Sequence, residues 1–169
     1  MKEYKYFENV KRNAYFCEIP CQFCGGKSDC LDGVFFEKDE VESICLSCFE
    51  QKKARVYIPD YIQNKIKNKR TDKTEELFLT PPVPWIQYNE WPVCCDDYMK
   101  YLGEWDKEAF EKYFSDNDNI ESMKNILSND MMERIENFEV LLDDLGNGTA
   151  AFVFKCNHCD KVNVVFQDY

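Results

Sequence analysis

Hydrophobic positions along this chain change period several times, dividing it into short strands, helical stretches and turns. An aromatic lead-in (Tyr4, Tyr6, Phe7, Val10) has little regular period, and residues 14–19 then suit a short strand. Val34-Phe35-Phe36 and Val41-Glu42-Ser43-Ile44 read as two more short strands. Residues 46–53 have room for one helical turn. Pro59-Asp60 opens a helix through Lys67, with Tyr61, Ile62 and Ile66 inward, because an acidic residue there satisfies free N–H groups. The polar run 68–76 predicts a mobile linker, and the prolines of Thr80-Pro81-Pro82-Val83-Pro84 require an extended segment.

Further on, residues 91–94 predict a strand that delivers Cys94 and Cys95 to a helix over 96–102, closed by Gly103. Another helix is expected over 106–114. A long helical pattern follows over 119–145, split near Ser128-Asn129 and stopped by Gly146-Asn147-Gly148. The tail is a hairpin: a strand over 149–154, a turn at Cys156-Asn157-His158-Cys159, and a return over 162–166. These elements make an α+β fold of zinc-ribbon-like hairpins with C-x-x-C knuckles plus a helical insertion. Residues 1–169 form one compact domain, in which 20–50 are ribbon-like, 59–145 mainly helical and 149–169 the terminal knuckle hairpin.

The knuckles carry the chemistry. Cys21-x-x-Cys24 and Cys45-x-x-Cys48 are separated by twenty residues, within reach of the tetrathiolate zinc pattern. Zinc takes four soft ligands in a tetrahedron, and each C-x-x-C turn offers two thiolates to one ion. Gly25-Gly26 can release the chain from the first turn. Cys156 and Cys159 are half of a second site, and Cys94-Cys95 is the other unassigned close pair. Cys94, Cys95, Cys156 and Cys159 therefore form a candidate second zinc centre. Adjacent strand residues point to opposite sides, so two vicinal thiolates need a bent backbone to share an ion. Cys95 with Cys156, Cys159 and either His158 or Cys17 is the competing set, and buried thiols that bind nothing are a third reading. Cys17 or Cys30 could also replace a ligand of the first centre.

Composition narrows the function. Ten cysteines without a signal-peptide h-region point to reduced thiols and metal rather than a secreted disulfide scaffold. No apolar run reaches membrane-spanning length, so a cytoplasmic chain is expected. The formal charge of −11 repels phosphate backbones, which argues against the nucleic-acid binding common among zinc ribbons. The single histidine, His158, lies inside a knuckle, and no P-loop or G-x-G-x-x-G is present. Pro20-Cys21-x-x-Cys24 matches half of a zinc-deaminase signature, but the only upstream candidates for its ligand and glutamate, Cys17 and Glu18, are adjacent and almost touch the knuckle, which rules it out. An open second centre with Asp96 or Asp97 moving protons is the enzymatic alternative. The main expectation is a non-enzymatic zinc protein contacting a basic protein partner.

Taken in order, Cys21-x-x-Cys24, Cys45-x-x-Cys48, the block Trp91-x-x-Cys94-Cys95-x-Asp97 running to Gly103, and Phe154-x-Cys156-x-His158-Cys159 resemble the CbrC family. The tail Gln167-Asp168-Tyr169 is similar too, whereas Asp160 stands where many members have Gly. The resemblance implies a bacterial protein with a role in stress or tolerance of a colicin-type toxin. It implies no enzymatic activity.

Overall fold

The first half of the chain builds one small antiparallel sheet and the second half two, and many of the buried core residues are aromatic. The computed structural model describes residues 2–37, 40–68, 71–114, 138–159 and 161–169. The first half opens with the helical turn α1 (Val10–Asn13) and β1 (Phe16–Cys17). The strands β2 (Cys30–Asp32) and β3 (Ser43–Cys45) complete a sheet in the order β1-β2-β3. The register sets Cys17 opposite Cys30 and Cys30 opposite Cys45. Helix α2 (Leu46–Glu50) follows at once, then α3 (Asp60–Gln63) and α4 (Thr71–Phe78).

Three expectations need correction here. Val34-Phe35-Phe36 is not a strand, because residues Gly33–Phe35 form a 3₁₀ turn. The carboxylate of Asp32 accepts from Val34 N at 3.0 Å and closes that turn. The strand lies earlier, at Cys30–Asp32. The expected linker over 68–76 is instead largely α4, whose Leu77 and Phe78 are buried and anchor an otherwise polar helix. Helix α3 also ends sooner than expected, although Ile62 and Ile66 are buried; Tyr61 is exposed.

In the second half, β4 (Val93–Cys94) and β5 (Asp97–Tyr98) form a hairpin. Strand β6 (Lys100–Glu104) pairs with β7 (Thr149–Lys155), and β7 pairs with β8 (Val162–Asp168). Helices α5 (Lys107–Phe114) and α6 (Phe138–Asp144) lie between β6 and β7 in the chain. The expected break near Ser128-Asn129 lies outside the described residues. The helix expected over 96–102 is a correction: Asp97–Tyr98 and Lys100–Glu104 are strands, with Tyr101 and Gly103 buried while Lys100 and Leu102 are half-buried. Pairing of β5 with β4 and of β6 with β7 outweighs the helical spacing of Tyr98, Tyr101 and Leu102. Gly103 is not a helix end but follows a bulge, at φ 135°, where an added Cβ would lie 2.8 Å from Asn13 Oδ1.

The central strand β7 is buried on both faces, as a strand covered from both sides should be. Ala150, Phe152 and Phe154 join the main core, while Ala151 and Val153 join a smaller cluster with Phe110, Leu145, Val162 and Val164. In the main core Trp91, Tyr6, Tyr98, Tyr101 and Phe7 are almost fully enclosed. The lead-in is stitched alongside β6, with Tyr101 N donating to Tyr6 O and Glu8 N to Tyr101 O, both at 2.9 Å. The same buried set includes Cys21, Cys45 and Cys48, so the first knuckle region and the C-terminal sheet share one core.

Candidate metal centres

Eight of the ten cysteines meet in two groups of four. In the first, one sulfur from each of Cys21, Cys24, Cys45 and Cys48 lies within 4.8 Å of every other. The second gathers Cys94, Cys95, Cys156 and Cys159 under the same limit. A tetrahedron with arms of about 2.3 Å sets its sulfurs about 3.8 Å apart. Here Cys24 and Cys45 are separated by 3.6 Å, Cys94 and Cys95 by 3.8 Å, and Cys94 and Cys159 by 3.5 Å. All ten cysteines are free of disulfides. The donor set and spacing fit a thiophilic divalent ion at both places.

Backbone turns present the sulfurs of the first group. Cys21 N donates to Gly26 O and Gly25 N to Cys21 O, each at 2.7 Å, and Gly25 takes φ 71° to close the knuckle. Ser43 Oγ ties β3 to the first knuckle through Pro20 O at 2.7 Å and Ile19 O at 3.0 Å. Cys45 ends β3, and Cys48 sits in the first turn of α2. Lys53 Nζ donates to Cys48 Sγ at 3.5 Å and partly offsets its charge. Burial resists ionisation of Cys21, but backbone hydrogen bonds from Cys45, Phe23 and Cys24 bring its thiol down to about 6. Burial and the neighbouring sulfurs push Cys45 up to about 12. Such a cluster loses its first proton readily and its last only when a cation supplies the missing charge.

The second group depends on one strained reversal. β4 and β5 are joined by only Cys95 and Asp96, with φ of 52° and 55°. Positive φ at both loop residues is the arrangement of a type I′ turn, usually reserved for Asn and Gly. This bend lets two adjacent sulfurs face one point, which a flat strand forbids. Asp96 helps to hold it, accepting from Lys67 N at 2.7 Å and Asn68 N at 3.2 Å. The other two sulfurs come from the knuckle between β7 and β8, where Cys156 N donates to Lys161 O at 2.8 Å and His158 N to Cys156 Sγ at 3.4 Å. Burial and the other thiols raise Cys94 to about 12, while a backbone hydrogen bond from Lys161 and the neighbouring sulfurs lower Cys159 to about 7.

The alternative ligands lie elsewhere. Cys17 is in neither group; its Sγ is 4.0 Å from Ile19 O. Cys30 donates to Gly26 O at 3.3 Å and packs in the core behind the first group. His158 turns its Nε2 to Asp97 Oδ2 at 2.9 Å, away from any ligand role. Asp97 itself is only 2% exposed and also receives Tyr6 Oη at 2.7 Å, Lys5 Nζ at 2.8 Å and Tyr98 N at 3.0 Å. Burial works against its charge, but the bonds from Lys5, Tyr6 and His158 hold the carboxyl at about 2. Neither Asp96 nor Asp97 is thus a spare proton carrier. Asp97 links the lead-in, β5 and the terminal knuckle, a role no spacing along the chain announces.

Residues 1–168 match the model of an uncharacterised protein family, UPF0167. The chain belongs to that family. No curated protein and no solved structure matches it. Both four-sulfur groups of this UPF0167 chain fall inside the matched span. Among the described residues, no helix is long and apolar enough to cross a membrane.

Proposed function

We propose that this chain is a non-catalytic, cytoplasmic zinc protein that works by contacting a basic protein partner. The observation that carries the reading is the pair of four-sulfur groups at tetrahedral spacing. Cys21, Cys24, Cys45 and Cys48 would hold one zinc, and Cys94, Cys95, Cys156 and Cys159 a second. With four protein sulfurs each, such centres leave no ligand position for a reacting water, and they act by holding the fold. The charge of −11, which bound tetrathiolate zinc makes more negative, favours a basic partner over a nucleic acid. The resemblance to CbrC proteins suggests that this contact serves tolerance of a colicin-type toxin in a bacterium.

Elemental analysis of the native protein beside Cys95→Ser tests the zinc assignment. Two zincs per chain are expected, falling to one in the variant, with far-ultraviolet circular dichroism largely retained. A single zinc in both proteins would reduce the second group to packed thiols. The cellular role is tested by challenging cells that express or lack the protein with the toxin: expression should raise survival, and equal survival would overturn the tolerance reading.

A further inference from the structure

A cavity of about 490 Å³ opens beside α3, and no cysteine lines it. Tyr57, Tyr61, Tyr88 and Trp85 line it together with Pro59 and Pro82, and none of its lining residues carries a formal charge. Tyr57, Tyr61 and Tyr88 are 56%, 54% and 60% exposed. Three rings this open around one cavity form the kind of apolar patch that marks a binding surface.

The walls are fixed in advance. Tyr61 Oη donates to Asn89 O at 2.6 Å, and Asn89 Oδ1 accepts from Trp91 N at 3.0 Å. Gln167, almost fully buried on β8, accepts from Ile86 N at 2.9 Å and Gln87 N at 3.1 Å and donates to Tyr88 O at 2.7 Å. One amide thereby holds the loop that carries Tyr88. Trp85 stacks on Phe154 with an interplanar angle of 14°, which fixes the ring from behind. A surface ordered before binding loses little entropy when it is occupied.

The surrounding charge selects the occupant. Asp60 stands between the lining residues Pro59 and Tyr61, and Glu90 between Asn89 and Trp91. The nearby cation Lys65 is exposed but already engaged, its Nζ donating to Trp91 O at 3.0 Å. Burial, then the charge of Glu90 and the phenols of Tyr57 and Tyr88, push the Tyr61 phenol upward, so these groups share one neighbourhood. The whole chain carries −11.

We propose that this cavity is the docking site for an extended, proline-rich segment of a partner protein that carries Lys or Arg. Grooves walled by aromatic rings accept polyproline II segments, whose conformation is already set, and the exposed ring faces attract cations. Acidic side chains beside an uncharged floor place the cation at the rim and the prolines inside. The inference rests on the reading that the chain contacts a basic protein and says where the contact is made.

Binding to immobilised peptides of four Arg-Pro-Pro repeats tests it, with Glu-Pro-Pro and Arg-Gly-Gly repeats as counterparts. The native protein should be retained by the first and pass over the other two. Tyr57→Ala and Tyr88→Ala should each weaken retention at least about threefold, whereas Tyr15→Ala, exposed but outside the cavity, should leave it unchanged. These rings are largely solvent-facing, so their removal leaves the fold and the zinc content intact. No retention, equal retention by Glu-Pro-Pro, or an equal loss in Tyr15→Ala would overturn the proposal. A protein with two zincs that ignores every peptide would sink the docking site and leave the zinc reading standing, whereas a protein without zinc would sink that reading alone.

Discussion

Replacing Cys45 by Ser will empty the first four-sulfur group and cost the protein much of its stability. Cys45 is buried, ends β3, and faces Cys24 at 3.6 Å across the group. A serine hydroxyl is a poor zinc ligand, and zinc bound to a small tetrathiolate site contributes on the order of 10 kcal/mol to folding at neutral pH. Because the binding energy is part of the folding energy, even a partial loss competes with a total stability of about 5–15 kcal/mol. The melting temperature should fall by at least about 10 °C, taking about 2–4 °C per kcal/mol for a chain of this size. Elemental analysis should show one zinc in place of two. Cys30→Ser is the informative comparison, since Cys30 is equally buried and pairs with Cys45 but lies outside the group. It should keep both zincs and lose only the modest packing contribution of one thiol. If the two variants lose the same amount of metal, the ligand assignment fails.

The second large effect is expected at Gly33→Ala, a position with no ligand role. Gly33 N donates to Glu42 O at 3.0 Å where β2 runs into the 3₁₀ turn, and a Cβ there would fall 1.6 Å from Val41 O. The obstacle is backbone rather than a side chain that can swing aside. Relief requires β2 and β3 to separate, and β3 carries Cys45. A destabilisation of at least about 3 kcal/mol is expected, read as a lowered urea midpoint and weakened retention of the first zinc against a chelator. Gly25→Ala provides the contrast: it has φ 71° but nothing within 4 Å of an added Cβ. Its cost should be only the left-handed penalty of about 1–2 kcal/mol. Equal effects at the two glycines would contradict the close approach of β2 and β3.

What the residues disclosed in advance, and what they hid, follows from the range of each interaction. The C-x-x-C knuckles and the β7–β8 hairpin are local, so spacing alone located Cys21, Cys24, Cys45, Cys48 and the Cys156–Cys159 turn. The meeting of Cys94 and Cys95 with that turn was suggested by elimination, and the left-handed pair Cys95-Asp96 supplies the bend that the suggestion required. In the block after it Tyr98, Tyr101 and Leu102 fall at helical intervals, and only the pairing of β5 with β4 and of β6 with β7 shows that they belong to strands. The linker expected over 68–76 fails for the opposite reason: a polar composition conceals a helix held by its last turn at Leu77 and Phe78. Asp97 and Gln167 bind partners far away in the chain, Tyr6 and Ile86 among them, and no local pattern announces such residues.

The two groups also differ in when they can exist. The first draws all its sulfurs from residues 21–48, whereas the second joins Cys94 to Cys159, 65 positions later. At about 5–20 residues per second, a ribosome takes on the order of ten seconds to pass from Cys48 to Cys159. All four sulfurs of the first group are therefore present in the nascent chain while the partners of Cys94 and Cys95 have yet to be made.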